Sequence, residues 1–567
     1  LFYHEDLDRN LSATSSGNRI VPGMLDSESM EFSPSNHDDL AVGPASPVWM
    51  YDPSDDSGRL DATGPACGQS RGLLLFGMRA ARLTTGITGT MYSSEQNEED
   101  AKAKPRFLVF SDSVQDAAHR ASVAETRNTL SVYQKSLFEA LSKTADGKLS
   151  LEDVIETVPQ EHLADLGGDT FTARFIPKEQ TWRHPYVDLT EHGVSISDPV
   201  FLDHMATRLG WEYFVDLSYR SHFNHTLELN GAAAADVPAE YLRDSADKLA
   251  RQLKNAFSGA PDVPTEDVMR FLIGLLQRMR RQGSVAHPYV ELAAEASTGS
   301  FGMNWFGASS KLGLRRTGTL PTPNAARGAA PIPVTLSRSL SGVEKITRKH
   351  ITNWYRDWVF RCFSEADLRI GADPDEVYKL AFERLRSDGL VKKIEGSDGV
   401  RHVWLVDPKK IMVSLKGTPL CCDTCGRREL SLAENQKLLV GSSCPKIGCK
   451  GHLFDAEPAD RPALTRLLQS ERNHRVVARE HTGLLDADQR HLVETGYINE
   501  ETAWAPNLIS ATPTLEMGID IGDLSTLLLG SVPPEEANYV QRMGRSGRRD
   551  GNALNLVLAN ARPHDIQ

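Results

Sequence analysis

The 567-residue chain has no apolar run near the roughly 18–20 residues a bilayer-spanning helix needs. It opens on no secretory leader pattern, so a cytoplasmic chain with no membrane partner is expected. Cysteine is scarce: seven residues, five of them between 421 and 449. With no secretory leader, the cysteines point away from a disulfide framework. Positive charge is not in excess. The 63 Lys and Arg against 76 Asp and Glu leave a net charge of −13. Any phosphate contact must therefore be a local patch on an acidic body. No G-x-x-x-x-G-K-[ST] loop occurs, and the one acidic box, DEVY at 375–378, opens a helix and follows no apolar strand. No phosphate cradle with magnesium ligands is written into these residues.

The length is too great for one core, and three to five domains are expected. The first residue is Leu1 rather than methionine, and the chain stops at HDIQ, so both ends read as cut from a longer polypeptide. Residues 1–70 are rich in Ser, Asp, Gly and Pro and read as a linker or irregular segment. Cys67 in GPACGQSRG has no nearby partner and reads as a buried or free thiol. From residue 71 the character changes: 71–92 is apolar and helical in its middle. Then FLVF (107–110) gives a short apolar run with no polar alternation, followed by SDS and a helical pattern. That is a strand buried on both faces, a turn and a helix. Ser111, Asp112 and Ser113 fall where a strand's carboxyl end meets a helix N-terminus, a usual place for ligand contacts in parallel sheets.

A matching pattern returns near the end of the chain. Residues 474–499 read as a strand (VVA), a turn (HTGLL) and a helix with Asp486 near its start. NLISAT (507–512) and STLLLG (525–530) are two further strands, with TLEMGIDIG between them. Pro533 and Pro534 followed by Glu535 and Glu536 start a helix, with proline in the first turn, that runs to about Arg542. Gly544 and Gly547 then release the backbone, so that Arg545 and Arg548 project from a tight loop. Two guanidiniums so placed suit a phosphate that gains negative charge in a transition state. The order predicts a parallel α/β sheet over 71–125 and 461–567, interrupted by a large insertion.

Within the insertion, 126–341 is mainly helical, with apolar spacings of three and four at 126–142, 199–216, 239–257 and 265–281. Arg278, Arg280 and Arg281 end the last of these, as cations complementing a helix C-terminus or, alternatively, as a DNA contact. Residues 296–341 read as a loop able to touch phosphate. Residues 342–416 give two helices and a hairpin around GSDG, the pattern of a winged helix. Residues 417–460 hold Cys422 and Cys425 as C-x2-C and Cys444 and Cys449 as C-x4-C, with 18 residues between the pairs. Two such knuckles supply four thiolates to one structural zinc. Cys421 is an alternative to Cys422, and His452 is a reserve ligand.

The array Gln541-Arg542-x-Gly544-Arg545-x-Gly547-Arg548 resembles the sixth motif of superfamily 2 helicases and translocases, and ATPTLEMGID their fifth. FSDSV resembles the fourth. With HTGLL and the four-cysteine ribbon, the chain resembles the large bacterial superfamily 2 (DEAD/DEAH-box) helicases whose relatives carry a DUF1998 module. Several of these serve anti-phage systems such as Druantia and DISARM. The resemblance implies a second RecA-like motor domain of an ATP-dependent helicase acting on DNA, with RNA as the alternative. It places Gln541, Arg545 and Arg548 against ATP as catalytic residues, and Gly518, Asp520 and Arg542 at the nucleotide. It places Ser111, Asp112, Ser113, His481, Thr482, Gly483, Thr512 and Thr514 along the nucleic acid. ATP and Mg2+ would be held mostly by a first RecA domain of the same polypeptide, and other defence-system subunits are expected partners. The competing reading is a non-catalytic zinc and winged-helix platform with vestigial motor motifs.

Overall fold

The computed structural model describes residues 2–4, 19–26, 32–34 and 45–52 as backbone strands. It further describes 106–111, 114–218, 226–257, 263–295, 333–337, 343–346, 354–363, 374–396, 401–457, 475–499, 502–512, 526–533, 535–546 and 554–558, with Leu468 and Leu524. The expected helix within 71–92, the loop at 296–332, Cys67, and the site residues Asp112, Ser113, Thr514, Gly518, Asp520 and Arg548 lie outside the described residues.

The chain forms two compact units, 1–79 and 80–567. The first contains β1 (Phe2–His4), β2 (Arg19–Asp26), β3 (Phe32–Pro34) and β4 (Ala45–Asp52), an antiparallel sheet in the order β1-β4-β2-β3. β2 and β4 pair over eight residues, from Arg19↔Asp52 to Asp26↔Ala45. This corrects the irregular segment expected over 1–70. Pro22, Gly23 and Pro47, read as loop formers, stand inside the strands and hid the pattern.

The second unit opens with β5 (Phe107–Phe110), buried at all four positions. The 30-residue α1 (Val114–Lys143) follows, about 45 Å long. Ala121 and Ala124 pack on the sheet of β5, whereas Val132, Tyr133, Leu137 and Leu141 belong to the core of the insertion. One helix is thus shared by two cores. The insertion continues through β6 (Lys148–Ser150), α2 (Leu151–Phe175), α3 (His184–His192), α4 (Pro199–Ser218), β7 (Ala234–Asp236), α5 (Ala239–Ala256), α6 (Thr265–Arg281) and α7 (Pro288–Glu295). The expected helices at 126–142, 199–216, 239–257 and 265–281 are all present. α2 was not expected. Pro159 lies within it, and Gly167 (φ 73°) divides it into two stretches, so no continuous period shows. Its start is nonetheless conventional: Ser150 Oγ accepts from Asp153 N at 3.0 Å. Where α2 crosses α4, a Cβ on Gly210 would stand 2.1 Å from Ile155 O, so only glycine allows this approach.

Next come β8 (Val334–Thr335), β9 (Glu344–Lys345), α8 (Trp354–Cys362), α9 (Pro374–Ser387), β10 (Val391–Glu395) and β11 (His402–Val406). β10 and β11 form the antiparallel hairpin, with β8 alongside β11 in the order β10-β11-β8-β9. The expected helix–helix–hairpin order is found. The expected boundary at 416 is not, because β12 (Met412–Ser414) pairs with both β6 and β7 and so closes the helical part. The ribbon then gives β13 (Gly417–Cys422), β14 (Arg428–Leu432), the single turn α10 (Gln436–Leu439) and β15 (Leu453–Asp455), in the order β14-β13-β15. One continuous apolar core joins helices, hairpin and ribbon, so the three expected insert domains share one interior.

The chain then returns to β5. β16 (Ala478–His481), α11 (Ala487–Asn499), β17 (Leu508–Ala511), β18 (Thr526–Leu529), α12 (Glu536–Met543) and β19 (Leu554–Val557) complete a five-stranded parallel sheet in the order β16-β17-β5-β18-β19. In register, Phe107 lies between Leu508 and Thr526. α1 covers one face, while Val493, Tyr497 and Ile498 of α11 and Met543 of α12 cover the other. This is the RecA-like α/β domain, with the insertion between β5 and β16. Among the described residues no helix is long and apolar enough to cross a membrane.

Candidate motor-edge site and four-cysteine centre

Because all five strands are parallel, their carboxyl ends share one edge. The backbone ladder continues one residue past the strands. Ser111 N donates to Ala511 O (2.8 Å), Thr512 N to His481 O (3.3 Å) and Gly530 N to Phe110 O (2.9 Å). Ser111 and Thr512 are thereby placed side by side, with Thr482 next to them after β16. Ser111 Oγ is buried and makes no hydrogen bond to the described residues. His481 is 1 % exposed, and its Nε2 meets Glu494 Oε1 of α11 at 2.7 Å. It therefore braces the turn from within, tying it to α11. Gly483 and Leu484 beyond it are exposed. Asp486 Oδ1 accepts from Gln489 N at 2.8 Å and starts α11, as expected.

The arginine array is arranged differently from the expectation. α12 begins at Glu536, so the prolines precede the helix instead of occupying its first turn. Gly544 has φ −68°, an ordinary right-handed value, so no backbone reversal occurs there. Arg542 is 3 % exposed and lies with Cζ 5.2 Å from the centroid of Phe110 at the end of β5. A guanidinium packed over an aromatic ring ties α12 to the end of β5. Arg545 is 8 % exposed, Gln541 is exposed, and Ser546 Oγ bonds to Asn555 Oδ1 (2.7 Å), tying the loop to β19.

Of the arginines ending α6, Arg280 and Arg281 are buried and Arg278 is half-buried. Arg278 pairs with Glu344 and lies over Trp354. Arg280 and Arg281 share Glu228, and Arg281 also pairs with Glu429 of the ribbon. All three lie in the last turn of α6, as the helix-terminus reading expected, and each also has an acidic partner. The pairs of Arg280 and Arg281 are buried, and that of Arg281 with Glu429 fastens α6 to the ribbon.

Cys422, Cys425, Cys444 and Cys449 converge, with all four sulfurs within 4.8 Å of one another. Cys422 and Cys449 are 3.7 Å apart, as are Cys425 and Cys444. A tetrahedron of Zn–S bonds of about 2.3 Å has edges of about 3.8 Å, so the cluster fits zinc. Burial pushes the Cys444 and Cys449 thiols up, so a cation at the centre is what makes four thiolates tolerable. Lys446 N and Gly451 N approach Cys444 Sγ and Cys449 Sγ at 3.5 and 3.4 Å. Cys421 and His452 do not join the four, so both alternatives drop out. Sequence reasoning found the ligands but missed their support from α8, since nothing in WYRDWVFRC marks it.

The family described as Helicase conserved C-terminal domain matches residues 459–550. The Druantia protein DruE of Escherichia coli (strain UMEA 4076-1) is 43 % identical over 60 residues, which is 10 % of this chain and 3 % of that protein. The ATP-dependent helicase HRQ1 of Saccharomyces cerevisiae is 44 % identical over 57 residues, 10 % of this chain and 5 % of that one. An uncharacterized ATP-dependent helicase of Methanocaldococcus jannaschii, MJ1574, is 32 % identical over 106 residues, 18 % of this chain and 15 % of that one. The chain thus spans a small part of the length of each relative.

Proposed function

We propose that the chain, whose residues 459–550 match the Helicase conserved C-terminal domain, is the second motor half of an ATP-driven nucleic-acid translocase of superfamily 2, related to defence helicases. The observation that carries this reading is the shared edge. Ser111, Thr482 and Thr512 stand at neighbouring strand ends, and α12, which carries Gln541 and Arg542 and leads into Arg545, follows β18, the neighbour of β5 in the same sheet. In this reading Ser111, Thr482 and Thr512, with Asp112, Ser113, Gly483 and Thr514, line a nucleic-acid strand. Gly518 and Asp520 link that strand to the nucleotide. Gln541, Arg545 and Arg548 face ATP across a cleft whose other wall, with the phosphate cradle and Mg2+ ligands, is a first RecA-like domain. ATP hydrolysis supplies the driving energy. His481 and Arg542 position these groups without touching either ligand. DNA is the proposed strand, because the insertion offers a winged-helix-like unit beside the motor, and anti-phage defence is the proposed setting. The zinc is structural, its four positions filled by cysteine.

The test is Arg548→Ala in the full-length protein. DNA-stimulated ATP hydrolysis is expected to fall by about 10³-fold or more, with DNA binding nearly unchanged, because the guanidinium is needed mainly in the transition state. Lysine is expected to rescue poorly, since it lacks the planar fork. Hydrolysis at the parent rate with DNA present would remove the finger assignment and favour the platform reading.

A further inference from the structure

The two cysteine knuckles are not built alike. The first, Cys422 to Cys425, closes on itself: Gly426 N donates to Cys422 O at 3.1 Å, and Cys422 N donates to Arg427 O at 2.9 Å. The second, Cys444 to Cys449, is two residues wider; it also closes on itself, through Cys444 N to Gly451 O at 2.9 Å and Cys449 N to Lys446 O at 3.1 Å, but α8 adds a set of groups that the first knuckle lacks. Arg361 Nη1 donates to Cys444 O and, at 3.2 Å, to Cys449 O. Trp354 Nε1 donates to Pro445 O at 2.8 Å. Gly448 N donates to Asp357 Oδ2 at 3.1 Å, and Ser443 Oγ donates to Arg361 O at 3.0 Å. Asp357 also pairs with Arg361 at 2.6 Å, and Arg361 lies 5.5 Å from the Trp358 ring, so the guanidinium has one available direction. Every residue of this grip lies on one face of one helix, spaced three and four apart.

We infer that Arg361 is a positioning residue for the four-cysteine centre, holding Cys444 and Cys449 at ligating separation through their own carbonyl oxygens and tying that half of the centre to the winged-helix-like unit. The inference rests on the zinc reading of the cluster. A planar fork is required because the two carbonyls belong to different residues and must be held at once. The coupling is reciprocal: what fixes the knuckle also fixes α8, so metal occupancy sets the place of Trp354.

The experiment is a Co2+ titration of the full chain, followed by thiolate-to-cobalt absorbance, with zinc transfer to a chelator measured in parallel. Arg361→Ala is expected to lower metal affinity about 10- to 100-fold, the usual effect of removing an outer-shell partner, with one metal still bound at saturation. Arg361→Lys should fall between parent and alanine, and Asp357→Asn should show a smaller loss. Arg428→Ala, on the exposed side of the ribbon, should bind as the parent does. Thermal unfolding in excess chelator should be alike for parent and Arg361→Lys, which separates positioning of the ligands from general support of the fold. Chelation should also change the tryptophan emission of the parent more than that of Trp354→Phe. Parent affinity in both Arg361 variants would overturn the inference while leaving zinc in place. A parent that binds neither Co2+ nor zinc would overturn the zinc reading and this inference together.

Discussion

Asp216 offers a sharp test of the insertion's interior. It lies on α4, where Oδ1 accepts from Gln134 Nε2 at 2.6 Å and Oδ2 accepts from Leu227 N at 2.9 Å. Burial, reinforced by Glu228 and Glu212, outweighs these two bonds and raises its pKa to about 6 from an ordinary 3.8. Below the lower value the carboxyl is protonated in both folded and unfolded chains, and above the upper value it is ionised in both. Between them the folded chain holds the proton and the unfolded chain does not, so stability falls as pH rises from about 4 to about 6. About two units correspond to about 3 kcal/mol lost by neutral pH. Asp216→Asn removes the ionisation. Its amide oxygen can still accept from Leu227 N, and a reversed Gln134 amide can accept from its nitrogen. Allowing for imperfect bonds, the variant is expected to be about 1–2 kcal/mol more stable than the parent at pH 8, and no more stable at pH 4. Urea unfolding of both proteins across pH 4–8, followed by tryptophan emission, measures this. A variant destabilised equally at every pH would refute the reasoning, because it would show the two hydrogen bonds, not the buried charge, to dominate. Asp236 is raised in the same window, so only the difference between parent and variant isolates Asp216.

Purified protein is expected to contain about one zinc, and Cys422→Ser with Cys425→Ser should abolish it and lower the unfolding temperature; metal analysis of both decides the point. Gly274→Ala should cost about 1–3 kcal/mol or more in urea unfolding, since its Cβ would stand 2.1 Å from the Trp358 ring, which is buried and bonded to Phe271 O. Unchanged stability would mean α8 is free to withdraw. Arg475→Ala should destabilise by about 2–4 kcal/mol in the same assay, because it strips the Ala173 and Ile176 carbonyls and Glu125 of a buried donor. A loss below about 0.5 kcal/mol would show that this contact is incidental.

The parallel sheet was legible because strands buried on both faces are written as bare apolar runs: FLVF, NLISAT and STLLLG each became a strand within a residue or two. The ligand set was legible because thiolate spacing is chemistry that survives any fold. What failed was of two kinds. Local breakers misled where tertiary pairing overruled them, as with Pro22 and Pro47 in β2 and β4, and Pro159 in α2. Charged residues were incompletely read where burial decided their partner: Arg281 stands at a helix terminus, as its sequence suggests, and is also paired with Glu228 and Glu429. No local pattern in the sequence encodes which acid, some fifty to a hundred and fifty positions away, will meet an arginine.

The attachment of the insertion has a mechanical consequence. An insertion joined to a sheet by two strands of chain would ordinarily hang on flexible links. Here the outgoing link is α1, whose backbone hydrogen bonds run unbroken from the sheet core into the insertion core, and a helix bends far less readily than a loop. The returning link is Arg475, whose guanidinium reaches the end of α2 and Glu125 of α1, while Val476 N donates to Asn128 Oδ1 of α1 at 2.6 Å. Both links therefore converge on the same helix. β12 then fastens β6 to β7, and the ion pairs of Arg281 fasten α6 to the ribbon. Among the described residues, α1, the Arg475 contacts and the Arg281 ion pairs thus form a continuous packed connection from the core of the sheet to the cysteine centre.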